Sequence, residues 1–269
     1  MNFNKNKNIL KLYDVDFFKY KYKHALKKLI LKKKKSLGRS FGSIVSWHRG
    51  GGVKRNFRTL FLNNHCKQDF GILRSIEYDP NRTSFIGTVQ FKNGAFSIIP
   101  VSSAMKVNDI ISFSNVETLN PKIGDSIKLR YAPIGVPVYN LEKFPGSGAI
   151  YSRSGGVFSI LLTKDANFGK IKLASGEERL FDLDCTITLG MPSNIHNKFN
   201  KKYKAGNMRL LNRRPTVRGV AMNPIDHPHG GGAGKTAPGR PSVSPWGKLT
   251  KGVPTRKKNI FNKFIIKRK

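Results

Sequence analysis

The chain has 269 residues, enough for one large or two small domains, and the 38% that are hydrophobic can form compact cores of modest size. Fifty Lys and Arg against fifteen Asp and Glu give a formal net charge of +35, whose self-repulsion is best explained by a polyanionic partner. A merely soluble basic protein needs far less charge, and no apolar run reaches the roughly 18 residues of a membrane span, so RNA or DNA is the expected partner.

Cysteines and histidines give no sign of a metal or redox site. Cys66 and Cys185 are far apart and outside any C-x-x-C pair, so neither a disulfide framework nor a cysteine zinc site is supported. Of the six histidines only His227 and His229 are close together. We therefore expect no metal site and no cofactor, apart from Mg²⁺ that a bound RNA would bring.

Charge is concentrated at the two ends of the chain. Residues 1–60 carry a net +15, residues 61–200 a net +3 and residues 201–269 a net +17. This distribution predicts a basic N-terminal extension, a folded body and a basic C-terminal extension, with the extensions neutralising phosphate groups. We expect them to order, if at all, on the partner. Residues 17–35 favour either a basic helix or a disordered tail, and the sequence does not decide between them.

In the first extension, residues 48–58 combine three glycines with basic groups and one aromatic residue. Glycine lets a backbone approach a phosphate chain closely, and Phe57 can stack on a base or anchor the segment. The alternative is a solvated linker, which would not need Arg55 and Arg58 clustered around an aromatic ring. RNA contact is the preferred interpretation.

The middle of the chain reads as β structure. Two apolar-rich runs, 85–91 and 95–99, flank Lys92-Asn93-Gly94 and predict a hairpin. Further predicted strands are 110–113, 126–130, 157–163, 170–173 and 179–183, with a turn at Ser175-Gly176 before the last. Short strands with frequent Gly and Pro indicate two small barrels, at 61–130 and 131–200.

The C-terminal extension, 201–269, begins with an arginine cluster. Arg209, Arg213, Arg214 and Arg218 recur around Pro215 in a stretch with little apolar pattern. The planar guanidinium suits phosphate groups and base edges better than a lysine does. A solvated charged face is the alternative, and we prefer RNA contact.

The glycine-rich stretch that follows resembles a nucleotide-binding loop only superficially. A Walker A sequence needs a glycine where His229 stands, and Pro238 and Pro241 would break the helix that such a loop opens. Asp226-His227-Pro228-His229 could also be a metal or general-base cluster. No nucleophile or second carboxylate lies nearby in sequence, so we expect both histidines to contact RNA, with a purely conformational role as the alternative.

Taken together, these residues resemble the universal large-subunit ribosomal protein L-two family in its bacterial and organellar form. The resemblance extends from about Ser36 to the basic ending Phe264–Lys269, with blocks in the family's order. These blocks are Arg49–Arg55, Glu77–Arg82, Ile134–Asn140, Leu189–Gly190, Arg214–Gly219, Met222–Gly232, Pro245–Gly247 and Thr250–Gly252.

The resemblance implies a mainly β fold in which an OB-like barrel precedes an SH3-like barrel, with long basic extensions at both ends. It also implies a structural ribosomal protein, not an enzyme, that supports subunit association, tRNA binding and the peptidyl transferase centre. His229 matches the family's much-discussed histidine. Where the family usually has an acidic residue and then Gly-Arg, this chain has Ala233-Gly234-Lys235, and its first 35 residues do not match well.

Large-subunit rRNA is the predicted partner, beside neighbouring ribosomal proteins and the small subunit, with no membrane. Direct catalysis by His229 in peptidyl transfer and an architectural DNA-binding protein are the alternatives. We predict RNA contact by His48, Arg49, Lys54, Arg55, Arg58, Arg82, Arg153, Arg209, Arg213, Arg214, Arg218, Asn223, His227, His229, Lys235, Arg240, Trp246, Lys248 and Lys251.

The compartment is predicted from composition. Heavy use of Lys, Asn, Ile and Phe is typical of an AT-rich coding source, and the first residues lack the Arg and Ser richness of a transit peptide. We expect an organelle-encoded mitochondrial ribosomal protein. A plastid or an AT-rich bacterium is the alternative.

Overall fold

A computed structural model of the chain describes residues 29–32, 38–61, 70–113, 120–233, 239–256 and 260–268. The chain divides into two compact units. The first comprises Met1–Lys33, Arg55–Lys201 and Lys263–Lys269, and the second comprises Lys34–Lys54 and Lys202–Asn262.

The regular secondary structure of the described residues is mainly β-strand, with one short α-helix, α1 (Ala205–Leu210), and 3-10 turns at Leu129–Tyr131, Ile195–Phe199, Gly219–Ala221 and Ile260–Phe264. None of these helices has the length and apolar character of a membrane span. The strands are β1 (Ile30–Lys32), β2 (Arg39–Ser40), β3 (Ser43–Ile44), β4 (Asn56–Arg58), β5 (Phe70–Glu77), β6 (Ile86–Phe91), β7 (Phe96–Pro100), β8 (Ile110–Ser112), β9 (Ser126–Lys128), β10 (Pro137–Tyr139), β11 (Leu141–Glu142), β12 (Ala149–Tyr151), β13 (Ser159–Lys164), β14 (Phe168–Lys172), β15 (Glu178–Asp182), β16 (Thr186–Leu189) and β17 (Ile265–Lys267).

The first sheet of the first unit has the strand order β7-β6-β5-β8, all antiparallel. One face buries Leu73, Val89 and Ile111, with the rings of Phe91 and Phe113 packed 5.4 Å apart. The opposite face of β6 and β7 is covered by apolar residues of the segments around β1 and β4, which pair with each other. Because both faces are covered, β6 is apolar along most of its length and does not alternate.

The predicted hairpin at 85–99 is confirmed as β6 and β7. Gly94 has a φ of +79°, which the turn requires and which a residue with a Cβ rarely adopts. The backbone N–H of Gly94 donates to Phe91 O at 3.0 Å, and that of Phe91 donates to Ala95 O at 2.9 Å, closing the turn. The Asn93 side chain accepts from the N–H of Ala95 at 2.9 Å. Turn chemistry and apolar pattern therefore agree here.

The second sheet has the order β17-β15-β14-β13-β10-β16-β9. Its core contains Ile127, Leu161, Ile171, Phe181 and Ile187, all buried. The strands predicted at 110–113, 157–163, 170–173 and 179–183 are present within about two residues. The interpretation of a mainly β chain with OB-like and SH3-like parts is correct.

Two strands pair with a sheet outside the region in which the sequence placed them. Residues 126–130 were expected in the first barrel, but β9 pairs with β16 of the second sheet and is followed by a 3-10 turn. Strand β17, from the predicted C-terminal extension, pairs with β15 of the same sheet. Neither segment has a local signal that names its partner strand. The division at 60, 130 and 200 otherwise stays a prediction.

Cys185 is buried in the first unit and is not part of any disulfide. Burial raises its pKa to about 12, with a smaller contribution from the nearby Glu142 carboxylate, so the thiol stays protonated at neutral pH. Glu142 is also buried, and its carboxylate accepts backbone N–H groups of Gly148 at 3.1 Å and Thr186 at 2.9 Å. This part of the unit is structural. Cys66 lies outside the described residues.

The second unit is mostly irregular and is held together by backbone hydrogen bonds between its two chain segments. Residues 48–53 run antiparallel to residues 210–214, with a bridge between Arg49 and Arg213. Backbone N–H groups donate across it from Gly50 to Asn212 O at 3.2 Å, from Val53 to Leu210 O at 3.4 Å and from Arg214 to His48 O at 3.0 Å. We call this paired region the basic ladder. Parts of the two predicted extensions thus pair with each other.

Candidate nucleic-acid interface

The two units differ in how their charge is balanced. The second unit contains eighteen Lys and Arg and a single acidic residue, Asp226. The first unit contains thirty-two Lys and Arg and fourteen acidic residues. Folding cannot neutralise the second unit from within, because it has almost no carboxylates to pair. Its surface is consequently the stronger electrostatic attractor for a polyanion.

Two of the three glycines of residues 50–52 have a steric reason within the basic ladder. A Cβ on Gly52 would lie 2.9 Å from the backbone nitrogen of Asn212, and one on Gly51 would lie 2.9 Å from Nη2 of Arg209. The sequence predicted that these glycines admit a phosphate chain. In the structure they admit the facing protein segment, and contact of the same backbone with RNA stays a prediction.

Arginines project from the basic ladder, and no carboxylate of the described residues forms an ion pair with them. Arg209 is anchored, because its Nη1 donates to Gly50 O and Arg213 O at 3.2 Å each. Arg213, Arg214 and Arg218 are exposed. Among the described residues, every ion pair lies in the first unit, and none involves these four arginines. The arginine cluster is therefore available for an external anion.

A cleft of about 370 Å³ opens beside the basic ladder, and we call it the Trp47 cleft. It is lined by Arg39, Ile44, Ser46, Trp47, His48, Arg49, Arg214 and Pro215. The Nδ1 of His48 donates to Pro215 O at 3.1 Å, which fixes the imidazole against the backbone of Pro215. Three of the lining residues, His48, Arg49 and Arg214, were predicted as RNA contacts, whereas Arg39 and Trp47 were not.

One feature of the sequence could have drawn attention to Trp47: it is an aromatic residue directly before His48 and Arg49. It remains 47% exposed and meets Trp246 edge to face at 5.5 Å between ring centroids. Trp246 is at the tip of a turn in which the N–H of Ser244 donates to Lys248 O at 2.8 Å. The predicted RNA contacts Trp246 and Lys248 thus lie on one exposed turn.

The loop around His227 and His229 is held by the histidines themselves. The N–H of His229 donates to Nδ1 of His227 at 3.0 Å, and the N–H of Val243 donates to Nε2 of His229 at 2.9 Å. Each imidazole therefore accepts a hydrogen bond at one nitrogen in this conformation. The two rings stack at 5.1 Å.

This arrangement weakens the alternative in which His229 is a catalytic base. Its Nε2 lone pair is already used by Val243, and its buried Nδ1 has no hydrogen-bond partner among the residues that the structure describes. Neither nitrogen can reach a substrate proton in this conformation. No group of three His, Cys, Asp or Glu side chains that could hold a metal ion occurs among the described residues.

In the first unit, Arg58 and Arg82 converge on a buried carboxylate. Asp79 is fully buried, and its oxygens lie 2.6 Å from Nη1 of Arg82 and 3.7 Å from Nη1 of Arg58. The guanidinium of Arg82 also lies over the ring of Phe57, at 5.5 Å from its centroid. One face of Phe57 is thereby covered. We call this set of residues the Asp79 node.

The remaining predicted contacts are distributed over both units. Arg55 donates to Pro80 O at 3.2 Å beside the Asp79 node. Exposed side chains belong to Lys54, Arg153, Asn223, Arg240 and Lys251. Lys235 lies outside the described residues. RNA contact by each predicted residue stays a prediction, while the structure brings His48, Arg49, Arg209, Arg213 and Arg214 together on the basic ladder.

Two family models match the chain and together span most of it. Residues 26–112 match the model described as Ribosomal Proteins L2, RNA binding N-terminal domain. Residues 122–247 match Ribosomal Proteins L2, C-terminal domain. The first covers the Asp79 node and one side of the basic ladder, and the second covers the other side.

Curated relatives agree with the family models. The chain is 44% identical over 245 residues to the large ribosomal subunit protein uL2 of Orientia tsutsugamushi, covering 91% of this chain and 89% of that protein. It is 46% identical over 245 residues to uL2m of Reclinomonas americana, covering 90% and 88%. It is 45% identical over 229 residues to uL2 of Rickettsia canadensis, covering 85% and 83%. The chain therefore belongs to the L2 family of ribosomal proteins, which are RNA-binding structural constituents of the large subunit and not enzymes.

Proposed function

We propose that this chain binds large-subunit rRNA chiefly through its second unit, and that it thereby supports subunit association, tRNA binding and organisation of the peptidyl transferase centre. The observation that carries the proposal is the basic ladder, which displays arginines on a backbone scaffold with no carboxylate partner among the described residues. Arginine on a fixed backbone is suited to phosphate contacts that set register and orientation.

In this proposal the RNA performs peptide-bond chemistry and the protein orders the RNA. Support comes from the loop of His227 and His229, whose imidazoles accept backbone N–H groups and so stabilise a fixed loop shape. A rigid loop with exposed Asn223 and Asp226 can present polar groups to RNA without moving protons itself. Mg²⁺ would enter through the rRNA phosphates.

The test is the double substitution Arg214→Ala and Arg218→Ala. Each change removes one exposed guanidinium from the second unit, so we expect less of the chain in large subunits and a lower particle yield. The measurement is the amount of the chain per large subunit after gradient purification. The matched control is Lys92→Ala with Lys106→Ala, which removes two exposed charges from the first unit. Normal yield from the arginine variant would contradict the proposal.

Tests of the proposed roles in subunit association and tRNA binding require assembled large subunits. Large subunits that still incorporate the arginine variant should associate less with small subunits and bind tRNA less tightly, because the RNA around the chain would be less ordered. Sedimentation of reassociated subunits and tRNA filter binding measure the two effects. Equal association and tRNA affinity at equal occupancy would restrict the function to assembly. Crosslinking in cells distinguishes rRNA from DNA.

We further propose that the ribosome in question is mitochondrial. The Lys, Asn, Ile and Phe bias supports it, as does the 46% identity to the Reclinomonas americana uL2m. The bacterial relatives are equally similar, at 44% and 45%. Mapping the gene to a mitochondrial, plastid or bacterial genome is the decisive observation.

A further inference from the structure

We propose that the Trp47 cleft holds the base of a single unpaired rRNA nucleotide, with Trp47 as its stacking surface and Arg39, Arg49 and Arg214 around its phosphate. The inference rests on the proposed function, because it concerns RNA already bound by the second unit. It adds a ligand class, one flipped-out nucleotide, and two residues, Arg39 and Trp47, that the sequence did not single out.

The walls of the Trp47 cleft are formed before any ligand arrives. Strands β2 and β3 form a small hairpin, in which Ser43 Oγ donates to Ser40 O at 2.8 Å. The N–H groups of Val45 and Ser46 donate to Gly38 O at 2.9 and 3.0 Å and fix the segment before Trp47. The opposite wall is tied to it by the N–H of Arg214, which donates to His48 O at 3.0 Å. A preformed cleft binds without the entropy cost of ordering.

The chemistry of the lining matches a nucleotide. Three guanidinium groups surround the cleft, and none forms an ion pair with a described carboxylate. Trp47 keeps nearly half of its surface exposed although Trp246 meets it edge to face. Ile44 and Pro215 add apolar wall, and Ser46 adds a hydroxyl for a base edge. An aromatic surface beside arginines is the arrangement that stacks an unstacked base and holds its phosphate.

The volume of the Trp47 cleft fits a single nucleotide. A volume of about 370 Å³ is at the lower end of the ~300–1,000 Å³ that small-molecule sites occupy. A base inside a duplex is covered by its neighbours and cannot present a face to Trp47, so the occupant must be unpaired. An acidic peptide would pair with the arginines but would leave the indole surface unmatched. RNA satisfies both features at once.

The experiment uses large subunits purified from cells that carry Trp47→Ala, Trp47→Phe or Ile44→Trp. A 2′-hydroxyl acylating reagent, which modifies flexible nucleotides whatever their base, is the probe, and the reactivity of every rRNA nucleotide is compared with the parent. The control is Tyr203→Ala, which removes an 87% exposed aromatic ring from the same unit outside the cleft. The amount of each variant per subunit is measured in parallel, which tests RNA binding separately.

We expect Trp47→Ala to raise the reactivity of one unpaired nucleotide by about fivefold to a hundredfold, the range for losing one base–aromatic stack. Ile44→Trp fills the cleft and should expose the same nucleotide, whereas Trp47→Phe and Tyr203→Ala should not. Normal incorporation with no reactive nucleotide in either cleft variant overturns the cleft proposal and leaves the proposed function standing. If Trp47→Ala reduces incorporation, Ile44→Trp decides: exposure of one nucleotide supports the proposal, and an unchanged pattern overturns it.

Discussion

Arginines serve opposite purposes in the Asp79 node and in the basic ladder. In the node, Arg58 and Arg82 converge on one buried carboxylate and are 18% and 22% exposed, so most of their charge is used inside the first unit. In the ladder, Arg213 and Arg214 are exposed and have no carboxylate beside them among the described residues. The number of basic residues in a segment therefore says little about binding until their counterions are known.

The largest expected effect on stability comes from removing the carboxylate of the Asp79 node. Asp79→Ala leaves two largely buried guanidinium groups without a counterion, and we expect the free energy of unfolding to fall by about 3 kcal/mol. Both tryptophans lie in the second unit, so urea unfolding should be followed by far-UV circular dichroism for the β-rich first unit and by tryptophan fluorescence for the second.

The control for that change is Asp165→Ala, whose side chain is exposed and which should cost less than about 0.5 kcal/mol. If Asp79→Ala proves equally mild, the node is not a stabilising element, and Arg58 and Arg82 are then better regarded as binding residues.

A second change tests whether the basic ladder needs its glycines for packing. Gly52→Ala places a Cβ 2.9 Å from a backbone nitrogen and also imposes a φ of +81°, so we expect a loss of about 2 kcal/mol in the fluorescence-detected transition. Gly42→Ala is the matched control, because it has the same φ of +81° and no atom of the described residues lies within 4 Å of the new Cβ. Equal losses in the two variants would show that backbone strain, and not packing, accounts for the cost.

The smallest expected effect concerns His229. His229→Ala removes the acceptor for the N–H of Val243 and should cost about 1 kcal/mol, whereas His229→Gln offers a carbonyl oxygen and should cost less. On fully assembled subunits the rate of peptide bond formation should be unchanged in His229→Gln. A large drop in that rate at full occupancy would favour the catalytic alternative.

Local signals predicted local structure well. The hairpin of β6 and β7 was readable because its turn, Asn93-Gly94, and both apolar runs lie within fifteen residues of each other. The pairing of β9 with β16 and of β15 with β17 was not readable, since it depends on which distant segment completes a shared core. The sheet order therefore needed the structure.

For the candidate site, too, the separate segments were predictable from the sequence, but their pairing was not. Basic segments 48–58 and 209–218 were recognised separately, from residue type alone. Their pairing into a ladder was missed because the backbone N–H groups that join them carry no sequence signature. Nothing in the sequence shows that Asp79 is fully buried between Arg58 and Arg82, and RNA contact by these two arginines stays a prediction.

The basic ladder also sets an order of events during synthesis. Residues 48–53 leave the translating ribosome some 160 positions before their partners at 210–214, so the ladder cannot close until late. The intervening strands of the first unit are complete by then and can already pair. The basic ladder is consequently among the last parts of the protein to take shape.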